Sequence, residues 1–198
     1  MRADRQNIPD EDVALVASWR RGEISSFETL VRKYQKRMLN IALRITDSYE
    51  DACEVTQDAF VAAHKEIDSF RGEASFSTWL TSITLNMSRN RFRQNRAKSK
   101  IEVSPLDRTN ADGESTPHLE MPSPEPTALE QLEQSAFHER LLKCIKAISI
   151  EFRETIILRD LQDYSYKEIC AILDLREGTV KSRLFRARDM VKDCLKRG

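Results

Sequence analysis

The segment Tyr164–Arg188, YSYKEICAILDLREGTVKSRLFRAR, restricts the fold more than any other part of the chain. Ser165 and Glu168 have the spacing of a capping box, which closes two orphan amides at a helix start. Ile169, Ile172 and Leu173 then line one apolar face. Asp174–Gly178 interrupts the pattern with Leu175 directed inward, and from Thr179 a second face follows through Val180, Leu184, Ala187 and Val191. Two short helices joined by a tight turn over a buried leucine have the spacing of a helix-turn-helix, whose second helix fits a DNA major groove. Its outward positions are Lys181, Ser182, Phe185, Arg186 and Asp189, with Arg183 and Arg188 between the faces. Lysine, serine and arginine so placed can set donors on base edges and cations on phosphates. The bland alternative, a solvated charged face on an ordinary helical hairpin, requires cap, turn, buried leucine and basic face to coincide by chance. Phe185 interrupts the basic face. It either packs back on the first helix or touches a thymine methyl, and the spacing leaves both open.

The rest of the chain also reads as helix. Five glycines in 198 residues and few alternating β-branched runs point to an all-α protein. Val13, Val16 and Trp19 mark a short first helix ending near Gly22. Ser25 and Glu28 form a second candidate capping box before Phe27, Leu30, Val31, Tyr34, Met38, Ile41, Ala42 and Ile45. A further stripe runs Ala52, Val55, Ala59, Ala63, Ile67, and another Phe76, Trp79, Leu80, Ile83, Met87. These helices form one expected bundle over residues 10–96. Residues 97–128 read as an acidic, proline-rich linker, since five of six prolines fall in 101–127 with few large apolar residues. Leu132, Phe137, Leu141, Ile145 and Ile148 suggest one more helix. Phe152, Ile156, Ile157 and Leu161 suggest another, giving a second small domain over 129–198 that ends in the helix-turn-helix.

Thirty-two basic and 32 acidic residues cancel, so only their distribution informs. Residues 89–100 hold six bases and no acid, 101–135 eight acids and one base, and 176–197 eight bases and three acids. Two basic surfaces with an acidic connector suit a nucleic-acid partner. Around the first basic block, Arg71, Gly72, Glu73, Ala74 and Ser75 make a short loop, followed by a helix with Phe76, Trp79, Asn86, Asn90 and several arginines. Aromatics, amides and cations together suit single-stranded DNA, although Phe76 and Trp79 stand at core spacing. Cys53, Cys144, Cys170 and Cys194 form no C-x-x-C pair and the three histidines complete no zinc spacing, so free thiols in a reducing cytosol and no metal or cofactor are expected. No apolar run reaches the ~20 residues of a membrane span, and the N-terminus lacks a signal-peptide core, so a cytoplasmic protein without membrane contact is expected. His64 near Glu54 or Asp68 lacks the partner spacing of an acid–base site, so no enzymatic activity is expected.

The order DAFVAAHKEIDSFRGEASFSTWL, a basic helix, a linker, then SYKEICAILDLREGTVKSRLFRAR resembles the extracytoplasmic-function (ECF) sigma factors of bacterial RNA polymerase. The resemblance covers both expected domains. It implies two helical domains, sigma regions 2 and 4, without the additional domain other sigma factors carry between them. It implies that Asp51, Glu54, Gln57 and Asp58 dock on the clamp helices of the largest polymerase subunit, and that the flap region is a further polymerase contact. The loop Phe70–Phe76 would capture a flipped base of the minus-10 element in the melted non-template strand, and Asn86, Arg89, Arg91 and Arg93 would line the minus-10 helix. Thr179, Lys181, Ser182, Phe185 and Arg186 would read the duplex minus-35 element, with Arg183 and Arg188 on phosphates. The linker would thread the RNA exit channel, and an anti-sigma factor would control the whole. Three positions depart from the family pattern: Ile148–Ser149 replaces a Leu-Pro step, Asp163–Tyr164 replaces a glycine before the capping serine, and Cys170 replaces a small alanine. The competing reading is a stand-alone regulator with a helical sensor domain that binds palindromic duplex DNA as a dimer.

Overall fold

The computed structural model describes residues 11–102 and 128–197, and every regular element among them is helical. Most of the acidic connector expected over 97–128 lies outside the described residues. The elements are α1 (Glu11–Arg20), α2 (Ile24–Thr46), α3 (Tyr49–Lys65), α4 (Phe76–Glu102), α5 (Ala128–Ala147), α6 (Ile150–Ile156, continued by a π-helical turn Ile157–Leu161), α7 (Tyr166–Leu173) and α8 (Glu177–Arg197). A 3-10 turn, Ile67–Ser69, leads from α3 into the loop before α4.

α2, α3 and α4 pack mutually, with α1 across α2. The stripe read in α2 is the buried one: Leu30, Met38, Ile41, Ala42 and Ile45 are fully enclosed. Its start differs from expectation. Gly22 adopts φ +95, a left-handed turn that Glu23 closes by donating its amide to Ser18 O, so α2 begins at Ile24. Ser25 then lies inside the first turn, where its hydroxyl donates to Glu23 Oε1 rather than capping. The box with Glu28 does not form. Ser48 caps α3 by accepting from Asp51 N, a site the apolar spacing did not mark. On α4 the enclosed residues include a polar row, Ser77, Thr78, Thr81, Thr84 and Ser88, interleaved with Phe76, Leu80 and Leu85.

In the second half, α7 begins with the complete capping box. Ser165 Oγ accepts from Glu168 N, and Ser165 N donates to Glu168 Oε2 at 2.8 Å. Asp174 closes α7 at φ +53, and α8 starts at Glu177, two residues before the expected Thr179. Val180, Leu184, Ala187 and Val191 are buried as read. Phe137 is not: 57% of it is exposed on α5, so among the described side chains the stripe on that helix starts around Leu141, and the side chain of Leu132 lies outside the described ones.

The two halves are not separate bodies. One apolar cluster runs from Trp19 and Met38 through Phe76 and Tyr164 to Leu184. Tyr164 is the keystone. It is 2% exposed, its hydroxyl meets Thr81 Oγ1 at 2.6 Å and Ser77 Oγ at 3.0 Å, and the Arg37 guanidinium lies 4.1 Å from its ring centroid. Asp163, at φ +58, supplies the left-handed step that a glycine commonly fills, and so delivers Tyr164 to this seam. The cysteines also depart from expectation: Cys144 and Cys194 form a disulfide, while Cys53 and Cys170 are free. The packing of α5 on α8 brings together thiols fifty positions apart, which no local spacing records.

Candidate nucleic-acid interface

The outward face of α8 presents Lys181, Ser182, Phe185 and Arg186, all exposed. Phe185 is 74% exposed, so it does not pack back on α7, and of the two roles left open by the spacing only outward contact remains. Arg186 has no ion-pair partner among the described residues. Lys181 Nζ lies 2.6 Å from Glu177 Oε1, which holds the ammonium above its ordinary range, and 5.7 Å from the Tyr166 ring centroid. Ser182 donates to Thr179 O in its own helix. Arg183 sits 3.7 Å from Glu151, and Arg188 donates to both oxygens of Asp160. The two arginines between the faces are therefore tethered sideways, while the central pair, Phe185 and Arg186, points to solvent.

The second basic face is α4 beyond Leu85. Arg93 is exposed, but Arg89 and Arg91 are engaged. Arg89 Nη2 donates to Glu154 Oε2 at 2.7 Å and Nη1 to Asn86 Oδ1 at 3.0 Å; the Glu154 side chain is only 3% exposed. The carboxylate bonds hold the guanidinium charged above its usual range, opposed by partial burial. Arg91 bridges to α3, 2.6 Å from Glu54 Oε2 and 2.9 Å from Asp51 Oδ1, and Glu54 is the larger cause of its raised pKa. Asp51 also accepts from Asn95 Nδ2 at 2.7 Å. Of the four acidic and amide residues expected to dock on polymerase, Asp51 and Glu54 are thus committed to α4, while Gln57 and Asp58 are exposed.

The loop before α4 is held from below. Arg20 of α1 lies 5.8 Å from the Phe70 ring centroid and donates to the carbonyls of Ile67 and Phe70. Nothing in the spacing of α1 marked this arginine. Arg71, Gly72 and Glu73 project outward, with Gly72 at φ +73 where a Cβ would be strained. Ser75 caps α4, accepting from Thr78 N at 3.1 Å. Phe76 is 1% exposed and packs on Trp19, Tyr34 and Trp79, so it cannot stack a base; it is a core residue. Trp79 is half-buried between Phe70 and Phe76. The loop borders a cavity of about 630 Å³ that α7 closes with Lys167, Glu168 and Ala171.

Comparison with known proteins agrees in both halves. Residues 30–98 match the family model for Sigma-70 region 2 and residues 138–191 that for Sigma-70, region 4. The ECF RNA polymerase sigma-E factor of Escherichia coli K12 is 35% identical over 182 residues, spanning 91% of this chain and 92% of its own. The RNA polymerase sigma-H factor of Pseudomonas aeruginosa is 29% identical over 187 residues, 94% of each. Among solved structures, CnrH in complex with the cytosolic domain of CnrY is similar with a TM-score of 0.66 and 25% identity, covering 93% of this chain and 97% of CnrH. Sigma factor RpoE in complex with the anti-sigma factor NepR from Bartonella quintana shares the fold, with a TM-score of 0.64 and 22% identity over 86% and 96%.

Proposed function

This chain belongs to the ECF family of RNA polymerase sigma factors, and on that premise we propose how its residues divide the work of promoter selection. A sigma factor of this family associates with core RNA polymerase and directs it to promoters; the polymerase supplies the chemistry. The outward face of α8 reads the minus-35 element, with Arg186 and Phe185 as the residues that discriminate between bases. Lys181 and Ser182 flank them, and Arg183 and Arg188 exchange Glu151 and Asp160 for phosphates. The observation that carries this assignment is the exposure of Phe185 beside Arg186, on a helix whose opposite side is wholly buried. An apolar ring in water has no folded-state partner to justify it, whereas a thymine methyl supplies one.

In the first half, the Arg71–Ser75 loop and Trp79 take an extruded minus-10 base, and Asn86 and Arg93 follow the strand. Extruding a base costs a few kcal/mol of unstacking, offset by contacts in the loop and by strand electrostatics. Arg89 joins them only after releasing Glu154, since one guanidinium cannot hold a carboxylate and a phosphate in the same fork. Gln57 and Asp58 form the open part of the polymerase-docking surface on α3. Two small reading surfaces on one chain raise the effective concentration of the second once the first is seated. The solved structure of RpoE with the bound anti-sigma factor NepR shares this architecture, and control by a protein of that class follows naturally for a chain with the same two halves.

The test is transcription with purified core polymerase and a randomised promoter library. Enrichment of two spaced elements that depends on this protein supports the reading. Failure to bind core enzyme, with occupation of symmetric duplex sites by the protein alone, refutes it.

A further inference from the structure

Cys144 in α5 and Cys194 near the end of α8 are joined across the seam where α5 packs on α8. The remaining attachments there are modest. Cys144, Ile145 and Ile148 are buried, Leu141 is half-buried, and Arg140 Nη2 donates to Leu195 O at 3.0 Å. The first described turns of α5 side chains, from Ala136 to Arg140, are all exposed. A covalent tie at this place therefore decides how firmly α5 stays on α8.

The two sulfurs differ in access. Both border a cavity of about 390 Å³ with Phe152, Met190 and Arg197, but Cys144 is 6% exposed whereas Cys194 is half-buried. A small thiol or disulfide can enter there and reach Cys194 first. The unpaired Cys170 lies in α7, and burial raises its thiol, which makes it a weaker competitor for exchange. In a protein that works beside cytoplasmic polymerase, a disulfide is usually transient and redox-sensing rather than a permanent staple.

We propose that Cys144–Cys194 is a reversible redox modification site, exchanged with low-molecular-weight disulfides and thiols of the glutathione class, that clamps α5 onto α8 when oxidised. In the oxidising direction the Cys194 thiolate attacks one sulfur of the small disulfide. That bond breaks, one small thiolate leaves, and a mixed disulfide remains on Cys194. The Cys144 thiolate then attacks Cys194 Sγ and expels the second small thiolate. One protein disulfide replaces one small-molecule disulfide, and the two protons of the cysteine thiols end on the two released thiols. Reduction runs the same steps backward, opening at Cys194. The site does not depend on the proposed promoter function; its consequence for the minus-35 helix does, because α8 carries both.

The experiment uses the full chain with Cys53→Ser and Cys170→Ser, so that only this pair remains. The protein is equilibrated in buffers of varied reduced and oxidised glutathione, acid-quenched, and trapped with a maleimide for mass measurement. Two thiols should disappear together in a single transition. Amide exchange across 128–147 should slow by about tenfold or more in the oxidised form, with a higher Tm, and Cys194→Ser, a half-exposed and mild change, should abolish both effects. Two thiols still open to maleimide in excess oxidised glutathione would overturn the proposal. So would a stable glutathione adduct on Cys194 without loss of the second thiol, or α5 exchange that is the same in both states. None of these readouts involves polymerase, so they stand apart from the fate of the promoter assignment.

Discussion

Arg89 and Glu154 form a bidentate pair across the seam between the two halves, and removing one should not equal removing the other. The Glu154 side chain is 3% exposed and that of Arg89 is 24% exposed. Arg89→Ala strands a carboxylate in the interior, a change that typically costs about 3–5 kcal/mol. Glu154→Ala leaves instead a guanidinium that keeps its bond to Asn86 and already reaches water, so about 1–2 kcal/mol is expected from the lost charged hydrogen bonds. The Arg89→Ala deficit should therefore exceed the Glu154→Ala deficit by about 2 kcal/mol. Urea unfolding of the full chain and both variants measures this. Equal deficits would refute the claim that the pair is buried asymmetrically.

Tyr164→Phe removes the shared partner of Ser77 and of fully buried Thr81, and should lose about 1–3 kcal/mol in the same assay. Ser165→Ala should lose about 0.5–2 kcal/mol through the capping box at the start of α7. Asp174→Gly relieves a left-handed residue, about 1–2 kcal/mol, but loosens the unfolded chain by about 0.4–1 kcal/mol, so a net gain of no more than about 1 kcal/mol is expected. Phe185→Ala should leave stability within about 0.5 kcal/mol because the ring is solvent-exposed, while Arg186→Ala should weaken the preferred minus-35 sequence by about 1–3 kcal/mol and flatten base preference there; competition binding of holoenzyme to promoter variants reads both effects.

The buried faces of α2, α3 and α8, the capping box at Ser165, and the outward set from Lys181 to Arg186 were all present in the sequence. Each is written by residues three or four apart, and helical geometry alone turns that spacing into a shared side. The row Ser77, Thr81, Thr84 and Ser88 also has helical spacing, but polar residues at such positions read as surface until a partner is known. Phe76 carried both a core pattern and a stacking role, and only its neighbours Trp19 and Tyr34 settle which it plays.

What tertiary structure alone decided is the set of relations between distant positions: Tyr164 with Ser77 and Thr81, Arg89 with Glu154, Arg20 under Phe70, Cys144 with Cys194. Apolar periodicity reports which side of a helix is dry, because burial stabilises any apolar surface without regard to what covers it. Hydrogen bonds, ion pairs and disulfides need one particular partner at one particular distance, and that partner is chosen by how whole helices pack. Helical faces and their chemistry were therefore legible residue by residue, while the seam that joins the two halves, and the buried carboxylate it pairs with Arg89, were not.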